Sequence, residues 1–100
     1  MTLDEILRDI HAMEEDLLVF ERKYGVLTET FYTAYQRGEE PEDEHWVLDW
    51  SEWAGTYEIL LERQERYRQA INSLLQQATP PTISSLIGRS ARYEPLPVAA

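Results

Sequence analysis

Carboxylates, two histidines and a row of aromatic rings are the side chains able to do chemistry in this sequence. Glu42 and His45 stand in the Glu-x-x-His spacing of dinuclear iron bundles, but such a site needs a second copy and further carboxylates projecting into one core. Here there is one copy, at a helix edge. His11 and Glu15 lie one helical turn apart and read as a surface pair. There is no Cys, which excludes thiolate ligands, thiol nucleophiles and disulfides and suits a reducing compartment. Hydroxyl nucleophiles would come from Ser51, Ser73, Ser84, Ser85 or Ser90, and neither histidine has a neighbouring motif that sets it beside one. Gly25, Gly38, Gly55 and Gly88 are scattered and build no phosphate loop. The expectation is a protein that is not an enzyme and holds neither metal nor cofactor; a carboxylate-rich metal enzyme is the least favoured alternative.

The residues suited to binding are more distinctive. Trp46, Trp50, Trp53 and Tyr57 recur at helical spacing, and large aromatics concentrate at binding hot spots as well as in cores. Trp50, Trp53 and Tyr57 are expected in the core, with Trp46, beside an acidic loop, as the exposed anchor. That loop carries Glu39, Glu40, Glu42, Asp43 and Glu44 around Pro41. Clustered charge of one sign speeds encounter with its opposite, although a solvated, helix-capping loop is the commoner role for such a run. The chain as a whole has 9 Lys and Arg against 19 Asp and Glu, a formal net charge of -10. Such a surface repels phosphate backbones and anionic lipid and attracts basic proteins. With no helix-turn-helix, ribbon motif or basic stripe, direct nucleic-acid binding is not expected.

These residues sit on an all-α pattern. Thr2 and Glu5 have capping-box spacing, so the first helix is expected near Leu3. Leu3, Ile6, Ile10, Met13, Leu17, Phe20 and Tyr24 then form an apolar stripe that ends at Gly25. A short second helix is expected from Glu29 to about Arg37, with Thr28 as N-cap, Gly38 as terminator, and Phe31, Ala34 and Tyr35 on one side. The acidic run leads into a third helix of about 34 residues, on the order of 50 Å long. Its stripe runs through Trp46, Trp50, Trp53, Tyr57, Leu60, Tyr67, Ile71, Leu74 and Ala78, with Gln64 as one polar member. Gly55 interrupts it at a cost of about 1 kcal/mol against Ala, which marks a close helix approach or a bend. Thr79-Pro80-Pro81 ends it.

The expected architecture is an antiparallel helical hairpin of two long helices with a short intervening helix, residues 1–78, followed by a flexible Pro-containing C-terminal arm, 79–100. A lone hairpin leaves much of its stripe wet, so it is expected to pair, as a homodimeric helix bundle or with a dedicated partner. In the arm, Ile83, Leu86 and Ile87 precede Arg89, Arg92 and Tyr93. Residues through Ala78 carry 7 basic and 18 acidic side chains and the arm 2 and 1, so this apolar-then-basic patch differs from the body. It reads equally as disorder or as a segment that folds on a partner or lies against the acidic body of a neighbouring subunit. The N-terminus has no export signal and no stretch approaches a membrane span, so a cytoplasmic protein with no membrane contact is expected.

Glu21-Arg22-Lys23-Tyr24-Gly25, then Glu29, Phe31, Tyr35, Gly38, Glu39 and Asp43, then Trp50, Trp53, Ala54, Gly55, Tyr57 and Glu58, make a further pattern. It resembles the small acidic helical antitoxins of prokaryotic toxin–antitoxin modules, read as Glu-x-Lys-Tyr-Gly, Phe-x-x-x-Tyr-x-x-Gly-Glu and a Trp-Ala helix. The likeness covers roughly residues 14 to 70 by motif spacing; the proline-broken loop and the residues after Thr79 depart from the family's short form. The resemblance implies a small basic toxin of the TumE kind as partner, neutralised by direct contact. The expected contact residues are Phe31, Tyr35, Glu39, Glu40, Glu42, Asp43, Glu44 and Trp46. A self-associating structural or assembly protein without a toxin is the alternative.

Overall fold

The computed structural model describes residues 1–90, and they are helical with no strand among them: α1 is Leu3–Tyr24, α2 Thr28–Gln36, α3 Val47–Gln77 and α4 Ile83–Ser90, with a 3-10 turn at Glu44–Trp46 before α3. Two units divide the chain, Met1–Arg68 and the part from Gln69 onward, and the division falls within α3.

In the first unit α1 starts where its cap places it: the Thr2 hydroxyl accepts from the backbone N–H of Glu5 at 3.2 Å. It stops at Gly25, which adopts φ 76° and donates to the Glu21 carbonyl at 2.8 Å. Of the seven stripe residues Ile6, Ile10 and Leu17 are buried and Leu3, Met13, Phe20 and Tyr24 half-buried, so none faces water fully. α2 ends in the six-to-one pattern of a Schellman turn, with Glu39 N–H on the Ala34 carbonyl and Gly38 at φ 88°. The acidic segment follows directly from that turn.

Two details of this unit differ from expectation. Thr28 is not the cap of α2 but its first residue; Leu27 holds the cap position and contributes no side-chain bond. The carboxylate of Glu21, on α1, takes over the task and accepts from the Thr28 backbone N–H at 2.8 Å, placing negative charge at the positive end of the helix. The third helix also begins later, because Asp43 accepts from the His45 N–H and first tightens the chain into the 3-10 turn. Its 31 α-helical residues fall short of the expected length mostly on that account.

Contacts between α1 and α3 run in opposed order. Asp9 accepts from Arg63 Nε at 3.0 Å, Phe20 stacks on Trp53, and Tyr24 donates to Asp49 at 2.6 Å, so the partner's number falls along α3 as the number rises along α1. α3 passes Gly55 without a break, and a Cβ at that position meets nothing within 4 Å. The close approach expected there is therefore corrected: the glycine is a propensity fault in open space. Gly55→Ala is expected to raise the unfolding free energy by about 0.5–1 kcal/mol. Urea unfolding followed by circular dichroism checks this, and an unchanged or lowered midpoint counts against it.

The second unit holds the end of α3, with Ala78 buried, and α4. Thr82 caps α4 by accepting from the Ser85 N–H at 3.1 Å, and Leu86 is buried on that helix while Ile83 and Ile87 are exposed. Within the arm, Ile83–Ser90 is helical. Arg92 and Tyr93, assigned to its basic patch, lie outside the described residues. No helix among the described residues is long and apolar enough to cross a membrane.

Candidate functional site

Trp53 organises the first unit. It is 1% exposed, and its indole meets rings from both α1 and α2. Phe31 of α2 lies parallel to it with centroids 3.9 Å apart, and Tyr24 and Phe20 of α1 stack at 5.6 and 5.7 Å. Its one polar atom is also satisfied: the indole N–H donates to the Thr28 hydroxyl at 3.0 Å, and that hydroxyl in turn donates to Glu21 at 2.9 Å. A chain of hydrogen bonds, Trp53 to Thr28 to Glu21, thus links α3, α2 and α1, and Glu21 caps α2 with the same carboxylate oxygen.

Above this stack lies an open groove of about 480 Å³. Phe31, Trp50 and Trp53 are among its apolar lining, Ala34 and Val26 extend it, and Trp46, Lys23 and Glu39 also border it. Phe31 meets Trp50 edge-on at 5.2 Å, and Trp46 meets Tyr24 edge-on at 6.0 Å. Trp46 is 37% exposed, so part of it reaches the surface next to a packed aromatic cluster.

Asp49 fixes one edge of this region. It accepts from Lys23 Nζ and from the Tyr24 hydroxyl, both at 2.6 Å, and the Lys23 ammonium also stands 5.5 Å from the Tyr24 ring centroid. The hydrogen bond from Lys23, then that from Tyr24, holds the Asp49 carboxyl below the usual carboxylate range. Burial, then the bond to Asp49, pushes the Tyr24 phenol up, and Asp49 raises Lys23. A carboxyl depressed in the folded chain contributes stability that is present above its unfolded pKa and lost as pH falls through the lower folded value. Asp49→Asn is therefore expected to flatten the fall in stability below about pH 4. Chemical unfolding across an acid series checks this; a variant that tracks the parent through that range removes the role assigned to Asp49.

The expected contact residues divide. Glu39 and Trp46 border the groove, and Tyr35 is 37% exposed, tilted against Phe31 at 5.6 Å. Glu40, Glu42 and Glu44 are exposed, while Asp43 is half-buried and engaged with both the backbone and Nδ1 of His45. Phe31, at 5% exposed and stacked on Trp53, lines the groove from within the packed cluster and does not project from the surface. Trp53 is buried as expected, and Trp50 and Tyr57 are half-buried. Sequence reasoning missed Lys23, Tyr24 and Asp49 at this edge; a cation and a phenol at the end of α1 were legible, but their meeting with Asp49 is tertiary.

His45 engages Asp43 rather than Glu42, and among the described residues no group of three or more His, Asp or Glu is placed to hold a metal ion. No family model, curated protein or solved structure matches the chain.

Proposed function

We propose that this chain is a protein-binding module, the antitoxin of a prokaryotic toxin–antitoxin module, which neutralises a small basic toxin by direct contact. The observation that carries the reading is the open aromatic groove with a half-exposed Trp46 at its border and the acidic segment Glu39–Glu44 beginning at Glu39. Aromatic area in a pre-packed setting favours residence, and the acids favour rapid approach of a basic surface. The likeness to acidic helical antitoxins supports the same partner, and the cytoplasm is the compartment that goes with it. In this reading the chain works by occlusion and performs no catalysis.

The reading includes an antiparallel hairpin of α1 on α3, supported by the opposed order of the Asp9–Arg63, Phe20–Trp53 and Tyr24–Asp49 pairs. It also includes a homodimeric bundle as the free state, for which exposed Leu18, Val19, Ile59 and Leu61 are the motive. Those same side chains favour the second reading, a self-associating structural protein without a toxin.

Co-expression with any small basic protein encoded beside it separates the two readings. The antitoxin reading expects a stoichiometric complex and relief of the growth arrest that the basic protein causes alone. A chain with no such neighbour, which sediments as a tight homodimer with all three tryptophans shielded from acrylamide, overturns it.

A further inference from the structure

We infer that the aromatic groove is the docking site for one segment of a basic partner, a segment that pairs a large apolar side chain with a neighbouring arginine or lysine. This deepens the proposed function and rests on its reading that the partner is basic. The apolar side chain fits over Phe31, Trp50 and Ala34, and the cation fits between the Trp46 ring and the Glu39 carboxylate.

Three observations select this occupant. The floor is rigid before anything binds, because Phe31 and Trp53 are stacked at 3.9 Å with an interplanar angle of 1°, and Trp53 is held by Thr28. A pre-packed floor lowers the ordering cost that binding must overcome. The one cation in the groove's lining, Lys23, is already paired with Asp49 and stands over the Tyr24 ring. Glu39, the first residue of the acidic segment, is the one carboxylate in that lining, which also includes the Trp46 indole. An arginine satisfies both, since its planar fork bonds a carboxylate and its face stacks on an indole.

Charge complementarity also disposes of the other occupants. A polyanion, or the acidic segment of a second copy, would meet Glu39 in the lining and a chain of formal charge -10. The groove on another side of α1 and α3, lined by Val19, Gly55 and Ile59, has acids in Asp16 and Glu52 but no exposed indole to hold a cation. Its volume is similar, about 530 Å³, so size does not choose between the two grooves and ring chemistry does.

The test uses the full chain and two synthetic amphipathic helices, one of leucine and arginine and one in which glutamate replaces every arginine. Binding is read by tryptophan fluorescence and calorimetry. The arginine peptide is expected to bind and the glutamate peptide not to. Trp46→Ala is expected to weaken the arginine peptide about tenfold or more, as a hot-spot truncation does. Glu39→Gln is expected to weaken it about two- to fivefold, while the charge-matched Glu14→Gln and the apolar Ile59→Ser leave it unchanged. Trp46 is half-exposed, so its variant should keep the parent's melting temperature, and the comparison is made on folded protein. Equal losses from Glu39→Gln and Glu14→Gln, or no loss from Trp46→Ala, overturn the inference. If the groove variants still hold the co-expressed basic protein at parental affinity, the inference fails while the proposed function stands. If the groove binds the arginine peptide but co-expression yields no basic partner, the proposed function fails instead.

Discussion

Trp53→Ala is expected to lower the unfolding free energy by about 3–5 kcal/mol. The magnitude follows from what the side chain touches. Trp53 is 1% exposed and is stacked by rings of α1 and α2, so its removal strips packing from three helices at once and leaves a cavity that no single neighbour can fill. Its loss also leaves the Thr28 hydroxyl without the indole donor. A domain of this size is stable by about 5–15 kcal/mol, so the variant should approach the point at which native and unfolded chains coexist without denaturant. Near-ultraviolet circular dichroism should lose the signal of the stacked rings, and urea unfolding should start near zero denaturant. A loss below about 1 kcal/mol would mean that the stack is not the centre of the first unit. Trp50→Ala is the useful contrast: its ring is half-buried and meets Phe31 edge-on, so the same truncation should be milder.

The helices were legible because their signals are local. Thr2, Gly25 and Gly38 act through bonds to residues a turn or less away, and the α1 stripe needs only the helical repeat to decide which side is wet. What failed was any inference that assigned a side chain to its nearest task. Thr28 looks like a cap because threonine before a helix usually is one, yet Glu21, seven residues earlier, reaches the helix start first and frees the hydroxyl to meet Trp53. Gly55 looks like a close approach because helical glycine usually has a reason, and here open space surrounds it. α4 was hidden by Pro80 and Pro81, which break α3 but place no restriction on a helix capped afresh by Thr82.

The site was legible in its types and not in its arrangement. Trp46 and Glu39 were assigned to contact and border the groove, but Phe31 was assigned with them and lies in the floor, because four-residue spacing from Tyr35 cannot say which of the two rings turns inward. The pattern that carries the family resemblance has a physical content as well. Glu21, Tyr24, Phe31 and Trp53 belong to the stack and its hydrogen-bond chain, alongside Phe20 and Thr28 from outside the pattern, so much of that pattern specifies how three helices meet. A motif built this way constrains the scaffold; Trp46 lies outside it.

Thr28→Val tests whether the hydrogen-bond chain, and not shape alone, holds that scaffold. Valine keeps the branched outline of threonine and replaces its hydroxyl with a methyl, so packing changes little while two bonds disappear. Trp53 loses the acceptor of its buried indole N–H, and Glu21 loses one of the two donors on its oxygen but keeps the Thr28 backbone N–H. A buried donor left unsatisfied costs about 1–3 kcal/mol, and that is the expected loss of unfolding free energy. Thr28→Ser keeps the hydroxyl and removes only a methyl group, so it should lose about 1 kcal/mol or less. The order of the two variants is the decisive reading in a denaturant titration. If serine is the more damaging, the methyl contact outweighs the bonds, and the link from α3 through α2 to α1 is one of packing. If valine is, the rigidity of the groove floor traces to a single hydroxyl that accepts from Trp53 on one side and donates to Glu21 on the other.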